Sequence, residues 1–250
     1  MRIKYLVPYA MGEAGIANRA LQIPEAALKP DTHVDCVAVR NHPQGPGSPY
    51  GRSLSEMYVT EAGLRAEEEG YDALVVDTTS DAGVETLRSR LRIPVVGPGL
   101  VAYLLGMLLG RRFSVLTCLE RDRPAYERTL VRYGVERWCA SIRPTGVTPD
   151  PETLFGTEIE APAEKVLAAA KEAITRDGAD VVLLGSTTMH QVAGLVAARL
   201  EAPVVNPGPV SLKLAESLVE LRLSHSKIAF PSPLVPQDGA WFSLPPLEDR

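Results

Sequence analysis

Two short polar segments carry the residue types able to do chemistry, Asp77-Thr78-Thr79-Ser80-Asp81 and Ser186-Thr187-Thr188-Met189-His190. Each follows an apolar run, ALVV before Asp77 and VVLLG before Ser186, and each precedes an amphipathic stretch. A buried parallel strand ending in a polar loop and a helix start reads this way. Hydroxyls and backbone N–H groups at a helix N-terminus together receive a carboxylate or another anion. Asp77, Asp81 and His190 add groups that exchange protons. Proton-transfer groups on two faces of a small substrate are the minimum for α-proton exchange, elimination or isomerisation. Ser, Thr and Asp just before a helix are also ordinary N-caps, and the residue types leave both readings open.

The two segments head longer copies of one pattern. Residues 77–99 (DTTSDAGVETLRSRLRIPVVGPG) lie over residues 186–208 (STTMHQVAGLVAARLEAPVVNPG) without a gap, at a spacing of 109. That spacing sets Asp77 opposite Ser186 and Asp81 opposite His190. It also carries Pro8 onto Thr117, Tyr9 onto Cys118 and residues 34–39 onto 143–148. Self-similarity over so long a period predicts a duplicated architecture. The expectation is an α/β protein of two pseudo-symmetric lobes with parallel sheets. Both polar turns would then face one cleft at the carboxyl ends of the strands, where open α/β sheets bind ligands. Lobe 1 is expected to take residues 1–98 and 209–230, lobe 2 residues 99–208, and residues 231–250 form a proline-rich tail. The strand exits supply further substrate-binding candidates, Pro8, Tyr9, Thr117 and Cys118, beside Thr78, Thr79, Ser80, Thr187 and Thr188.

The intervening elements follow from apolar periodicity. Strands are expected at residues 3–9, 34–39, 73–76, 95–97, 113–117, 140–147 and 181–184, with a further short one at 227–230. Helices are expected from the glycine-marked loop at 11–15 through Leu28, and over 54–70, 100–109, 163–178 and 209–223. The segment 41–53 is dense in Gly and Pro and reads as a long loop, a place where functional lids occur. Trp241 and Phe242 in the tail leave three placements open: a neighbouring subunit, the cleft, or their own chain.

Composition sets the outer bounds. The chain has 250 residues, 45% hydrophobic and 23% charged, with a net charge of −5. That is ordinary globular composition, and the acidic balance excludes a dedicated nucleic-acid binder. No apolar run is long enough to span a bilayer. Three scattered cysteines without a CxxC pair, and an N-terminus lacking a signal-peptide core, point to reduced thiols in a cytoplasmic protein. His33, His42 and His225 show no metal-ligand spacing, and no glycine-rich nucleotide loop is present. No metal or cofactor is expected.

Residues 2–227 resemble the aspartate/glutamate racemase superfamily, within it the hydantoin-racemase branch. The likeness is carried by Pro94-Val95-Val96-Gly97, by LLGRRFSVLT at 108–117, by Arg132-Tyr133-Gly134 and by Val204 through Lys213-Leu214-Ala215-Glu216. The resemblance implies a cofactor-independent enzyme of two flavodoxin-like lobes, a homo-oligomer, with the final helix crossing back to the first lobe. It also implies one cysteine in each polar turn, one thiolate removing an α-proton and the other thiol delivering one. Neither cysteine is here. Ser186 stands at the second position. Asp77 stands at the first by the internal repeat, or Thr78 if Asp81-Ala82-Gly83 is matched to the family's Asp-Pro-Gly. The gap-free repeat favours Asp77.

A serine hydroxyl is too weak an acid to replace a thiol in two-base racemisation. The expectation is therefore a one-sided base at Asp77, an acid at His190, and Ser186 with the threonine hydroxyls holding an enolate. That suits a lyase, decarboxylase or isomerase acting on a small carboxylate or cyclic imide. Arylmalonate decarboxylase and maleate isomerase on the same fold are precedents. A carboxylate-binding protein without turnover and a hydrolase with Ser186 as nucleophile are the competing readings, the second lacking a Gly-x-Ser-x-Gly elbow.

Overall fold

Strands covered on both faces are written as unbroken apolar runs, and Ala73–Val76 and Val181–Leu184 are buried at every position. The computed structural model describes residues 1–43, 48–148, 150, 156 and 158–243. In chain order these form β1 (Arg2–Val7), α1 (Glu13–Ala20), β2 (His33–Ala38), α2 (Pro49–Gly63), β3 (Ala73–Val76), α3 (Val84–Arg90) and β4 (Val95–Val96). Then follow α4 (Pro98–Leu109), β5 (Phe113–Thr117), α5 (Arg123–Tyr133), β6 (Cys139–Pro144), α6 (Glu160–Thr175), β7 (Val181–Leu184), α7 (His190–Ala197) and β8 (Val204–Val205). Two further helices, α8 (Pro207–Glu220) and α9 (Asp238–Phe242), end the chain.

The strands make two four-stranded sheets, β2-β1-β3-β4 and β6-β5-β7-β8, so the second repeats the order of the first. Every pairing in both is parallel. The fold is thus α/β with two parallel sheets of one topology. The chain divides into a unit of Met1–Gly97 with the chain from Ser211 onward, and a unit of Pro98–Val210.

In the first unit, Leu6, Leu74 and Val76 pack with Tyr58, Val59 and Leu87 from α2 and α3. Trp241 and Phe242 lie partly buried against the same cluster, so the tail aromatics sit on their own unit. The second unit has a cluster on each face of its sheet. Leu116, Val182 and Leu184 meet α6 and α7, whereas Phe113, Val115 and Leu183 meet Tyr103 and Leu130.

Several expectations need correction. The first helix stops at Ala20 rather than Leu28, since Pro24 has no N–H to continue it. The helix expected over 54–70 is α2, which starts earlier, inside the expected loop: Ser48 caps it by accepting the Gly51 N–H at 3.0 Å, ahead of Pro49. Residues 44–47 of that loop lie outside the described residues. The strand expected at 140–147 is β6, which ends at Pro144. Residues 227–230 form a turn, not a strand. Lys227 donates there to the carbonyls of Arg88, Ser89 and Leu91, the last carbonyls of α3, which a cation at a helix C-terminus satisfies.

Glu216 anchors α8 on the first unit. Its side chain has no exposed surface and accepts from the Lys29 N–H, the Thr32 hydroxyl and the Lys213 ammonium. Burial alone would raise its pKa, but those donors hold it at about 2, below the ordinary 4.5. A depressed carboxylate gives stability that is present above its unfolded pKa and lost as pH falls through the folded one. Urea unfolding should show wild-type stability dropping between pH 4.5 and 2 more steeply than that of Glu216→Gln.

Candidate active site

Backbone hydrogen bonds fix which residues of the two units are equivalent. Asp77 N–H donates to the Leu6 carbonyl and Gly185 N–H to the Leu116 carbonyl, each at 2.8 Å. Asp77 therefore corresponds to Gly185, and Thr78 to Ser186. The bonds after the strands agree, with Asp81 N–H to the Thr78 carbonyl matching Met189 N–H to the Ser186 carbonyl. By the same reasoning Val7 matches Thr117 and Pro8 matches Cys118, since Val39 N–H bonds to Val7 and Thr145 N–H to Thr117. The single spacing of 109 thus fails at the strand exits by one residue or more. Thr78, not Asp77, is the counterpart of Ser186, and His190 has no acidic counterpart.

The matched turns share their hydroxyl geometry. Thr78 Oγ1 accepts the Ser80 N–H at 3.3 Å and lies 3.0 Å from Ser80 Oγ. Ser186 Oγ accepts the Thr188 N–H at 3.3 Å and lies 2.7 Å from Thr188 Oγ1. Thr78 and Ser186 are each half-buried while the next residues, Thr79 and Thr187, are buried. When the second hydroxyl of a pair donates to the first, the first is free to donate its own proton outward to a ligand oxygen. Among the described residues the side-chain partners found for Ser186 are both on Thr188, neither of them a base, and a nucleophilic role needs one.

Asp77 points the other way. Its side chain has no exposed surface, and Tyr5 Oη donates to it at 2.6 Å. Gln22 Nε2 donates at 3.2 and 3.3 Å, and the buried Arg19 guanidinium lies 3.3 Å away. A carboxylate so enclosed is a positioning group behind the turn rather than a base facing substrate, which departs from the sequence expectation. Tyr5 feels the same charge: burial first, then Asp77, pushes its pKa well up. Residues Tyr5, Arg19 and Gln22 went unrecognised in the sequence, although Arg19 and Gln22 stand one helical turn apart.

Asp81 is buried as well, with φ of 53° in the left-handed region, which Asp enters more readily than most residues. Its carboxyl rests against Gly97, where an added Cβ would come within 2.5 Å of Cγ. Glycine is required there by close approach. In the second unit, Gly185 is required likewise, an added Cβ meeting the Leu116 carbonyl at 2.5 Å. The Tyr126 hydroxyl donates to the Gly185 carbonyl from α5.

His190 is half-buried, with Nδ1 at 2.9 Å from the Thr187 carbonyl. A carbonyl only accepts, so Nδ1 carries the proton of the neutral ring and Nε2, itself a buried atom although the residue is half-buried, the lone pair. Thr117 and Cys118 are buried, Cys118 within the apolar cluster around Leu116. Pro8 is buried and Tyr9 half-buried at the exit of β1. Burial pushes the thiols of Cys36 and Cys139 up to about 12 and about 11, so both are protonated at neutral pH. Among the described residues no group of three or more His, Cys, Asp and Glu side chains could hold a metal, and no helix is long and apolar enough to cross a membrane.

Residues 17–215 match the family described as Asp/Glu/Hydantoin racemase. Over 231 residues the chain is 32% identical to a hydantoin racemase of Pseudomonas sp. strain NS671, covering 91% of this chain and 90% of that one. Its fold is similar to that of an allantoin racemase from Pseudomonas fluorescens, with a TM-score of 0.84, 28% identity, and 95% and 99% of the two chains covered. An allantoin racemase from Klebsiella pneumoniae gives a TM-score of 0.84 at 25% identity over 96% and 98% of the chains.

The buried pair has a measurable consequence. Asp77→Ala removes the carboxylate that faces the buried Arg19 guanidinium and should lower the unfolding free energy by about 3–5 kcal/mol in urea titration. Adding Arg19→Met should recover part of that loss, because the two residues share one interaction.

Proposed function

Because the chain belongs to the Asp/Glu/hydantoin racemase family, within its hydantoin-racemase branch, we propose that it catalyses cofactor-independent proton transfer at a carbon next to a carbonyl or carboxylate. The substrate class is a small acid or a cyclic imide or ureide, the ring type that the names of its racemase relatives specify. The observation that carries this reading is the matched pair of hydroxyl turns, Thr78 with Ser80 and Ser186 with Thr188.

Both outward positions of the family's thiols are alcohols here, and an alcohol does not exchange protons with carbon at neutral pH. Their role in this proposal is to donate hydrogen bonds to carbonyl or carboxylate oxygens and to stabilise the enolate that forms when the α-proton leaves. His190 is assigned the proton transfer, because its bond to Thr187 leaves Nε2 as the basic nitrogen of the neutral ring. The α-proton passes to Nε2, the carbon's electron pair delocalises onto the carbonyl oxygen, and the imidazolium returns a proton to the same face. One-sided transfer of this kind exchanges the α-proton with solvent without inverting the centre; in decarboxylation loss of CO2 takes the place of proton removal, and the ring passes to the carbon a proton it has taken from solvent.

Proton NMR in D2O tests the reading on 5-substituted hydantoins, allantoin and 2-substituted malonates. Wild type should replace the α-proton by deuterium faster than the enzyme-free control, or, with the malonates, release CO2. His190→Gln should slow this about 10²-fold or more, and Ser186→Ala should slow it about 10²-fold. An unchanged rate in His190→Gln removes that residue from the mechanism. Thermal stabilisation by these compounds without exchange or CO2 release would replace the enzyme by a binding protein.

A further inference from the structure

His42 had no context in the sequence, and the structure supplies one. It follows β2, and its Nδ1 accepts the N–H of Ala10, just past β1, at 3.1 Å. The ring meets Tyr9 edge-on, centroids 5.2 Å apart. Because β1 pairs with β2 on one side and β3 on the other, His42 stands at the carboxyl edge of the sheet whose next exit carries Thr78. Ligands bind at that edge in open parallel α/β sheets.

The Ala10 bond decides the tautomer. A backbone N–H only donates, so Nδ1 must hold the lone pair and the neutral ring must carry its proton on Nε2. The ring is half-buried, and burial lowers its pKa below the ordinary 6.5, keeping it neutral at pH 7. Among the described residues Nε2–H has no hydrogen-bond partner, and the residue keeps part of its surface exposed. A neutral imidazole clamped on one nitrogen, with the other N–H presented, is a donor rather than a base. A ring of this kind polarises a carbonyl without itself taking a proton.

We propose that neutral His42 is a further catalytic residue, donating Nε2–H to the substrate oxygen that gains charge as the α-proton leaves. The proposal rests on the proton-transfer reading above and adds a residue to it. His42 is the inverse of His190, whose neutral ring carries its proton on Nδ1 and its lone pair on Nε2. As a donor His42 gives the oxygen a hydrogen bond and keeps its proton, so its own proton count does not change over a turnover.

Nitrogen-15 NMR of the histidine rings in the full chain tests this first, with His42→Gln assigning the His42 signals. The free protein should show the Nε2–H tautomer at His42 near pH 7, and an Nδ1–H tautomer overturns the proposal. Titration with hydantoin or malonate should shift the His42 Nε2–H resonance. Steady-state exchange comes second. His42→Ala should lose about 10²-fold in kcat, the size of one lost oxyanion donor, with KM changed only a few-fold. His42→Gln, which keeps a donor near the Nε2 position, should retain more activity than His42→Asn, a difference that a packing role would not produce. Equal kcat in wild type and His42→Ala overturns the proposal while the proton-transfer reading stands. If wild type turns over no compound in the panel, that reading falls. The ligand titration then decides His42 alone, an unmoved resonance overturning it.

Discussion

A carboxylate with no exposed surface must be neutralised by its neighbours, and the end of β3 is organised by that requirement. Asp77 draws Tyr5 from β1, and Arg19 and Gln22 from α1 and the residues just after it, onto one pair of oxygens. Those donors come from three segments, so they fix the strand exit relative to the helix that covers it. Desolvating such a pair is costly and its net contribution to stability is small, but losing one member leaves a bare charge inside the protein. The arrangement specifies one geometry more than it adds stability. What it specifies is the direction of Thr78, the next residue.

The second unit reaches the same geometry with different chemistry. Gly185 stands where Asp77 stands, packed so closely on the Leu116 carbonyl that no side chain fits, and Tyr126 holds its carbonyl from α5. The outward hydroxyls and their bonds to the residue two further on are nevertheless alike. A duplicated turn has kept its backbone pattern and its oxygen donors while the scaffolding behind each copy diverged. That favours a role for the hydroxyls toward a ligand, since N-capping alone needs only one good acceptor per helix.

The fold was legible because parallel strands announce themselves as apolar runs and the two halves repeat. The residues of β3 and β7 fall where the sequence places them. The site was only partly legible, for a reason of register. Aligning DTT with STT maximises identity, but it puts a buried acid opposite a half-buried hydroxyl. Side chains alternate across a strand, so a slip of one residue exchanges inward for outward. Only the hydrogen bonds of Asp77 and Gly185 to the neighbouring strand settle which residue faces out. The network around Asp77 was illegible because its members come together only when β1, α1 and β3 pack. Lys227 was misread for a related reason, its role depending on carbonyls that only the folded α3 presents.

Histidine illustrates the limit most sharply, since its chemistry is set by whatever touches the other ring nitrogen. His190 gives Nδ1 to a carbonyl three residues back, a local bond that a helix start invites. His42 gives Nδ1 to an amide 32 residues earlier, and nothing local in the sequence foreshadows that. The first bond makes a ring whose remaining nitrogen accepts, and the second makes one whose remaining nitrogen donates. A thiol pair draws its two roles from one functional group in two protonation states. In the reading proposed above, the backbone bonds alone assign a donor role to His42 and an acceptor role to His190. In that reading the hydroxyls of Thr78 and Ser186 are donors to oxygen. The absence of cysteine from both turns is on that view a change in how acid and base are assigned.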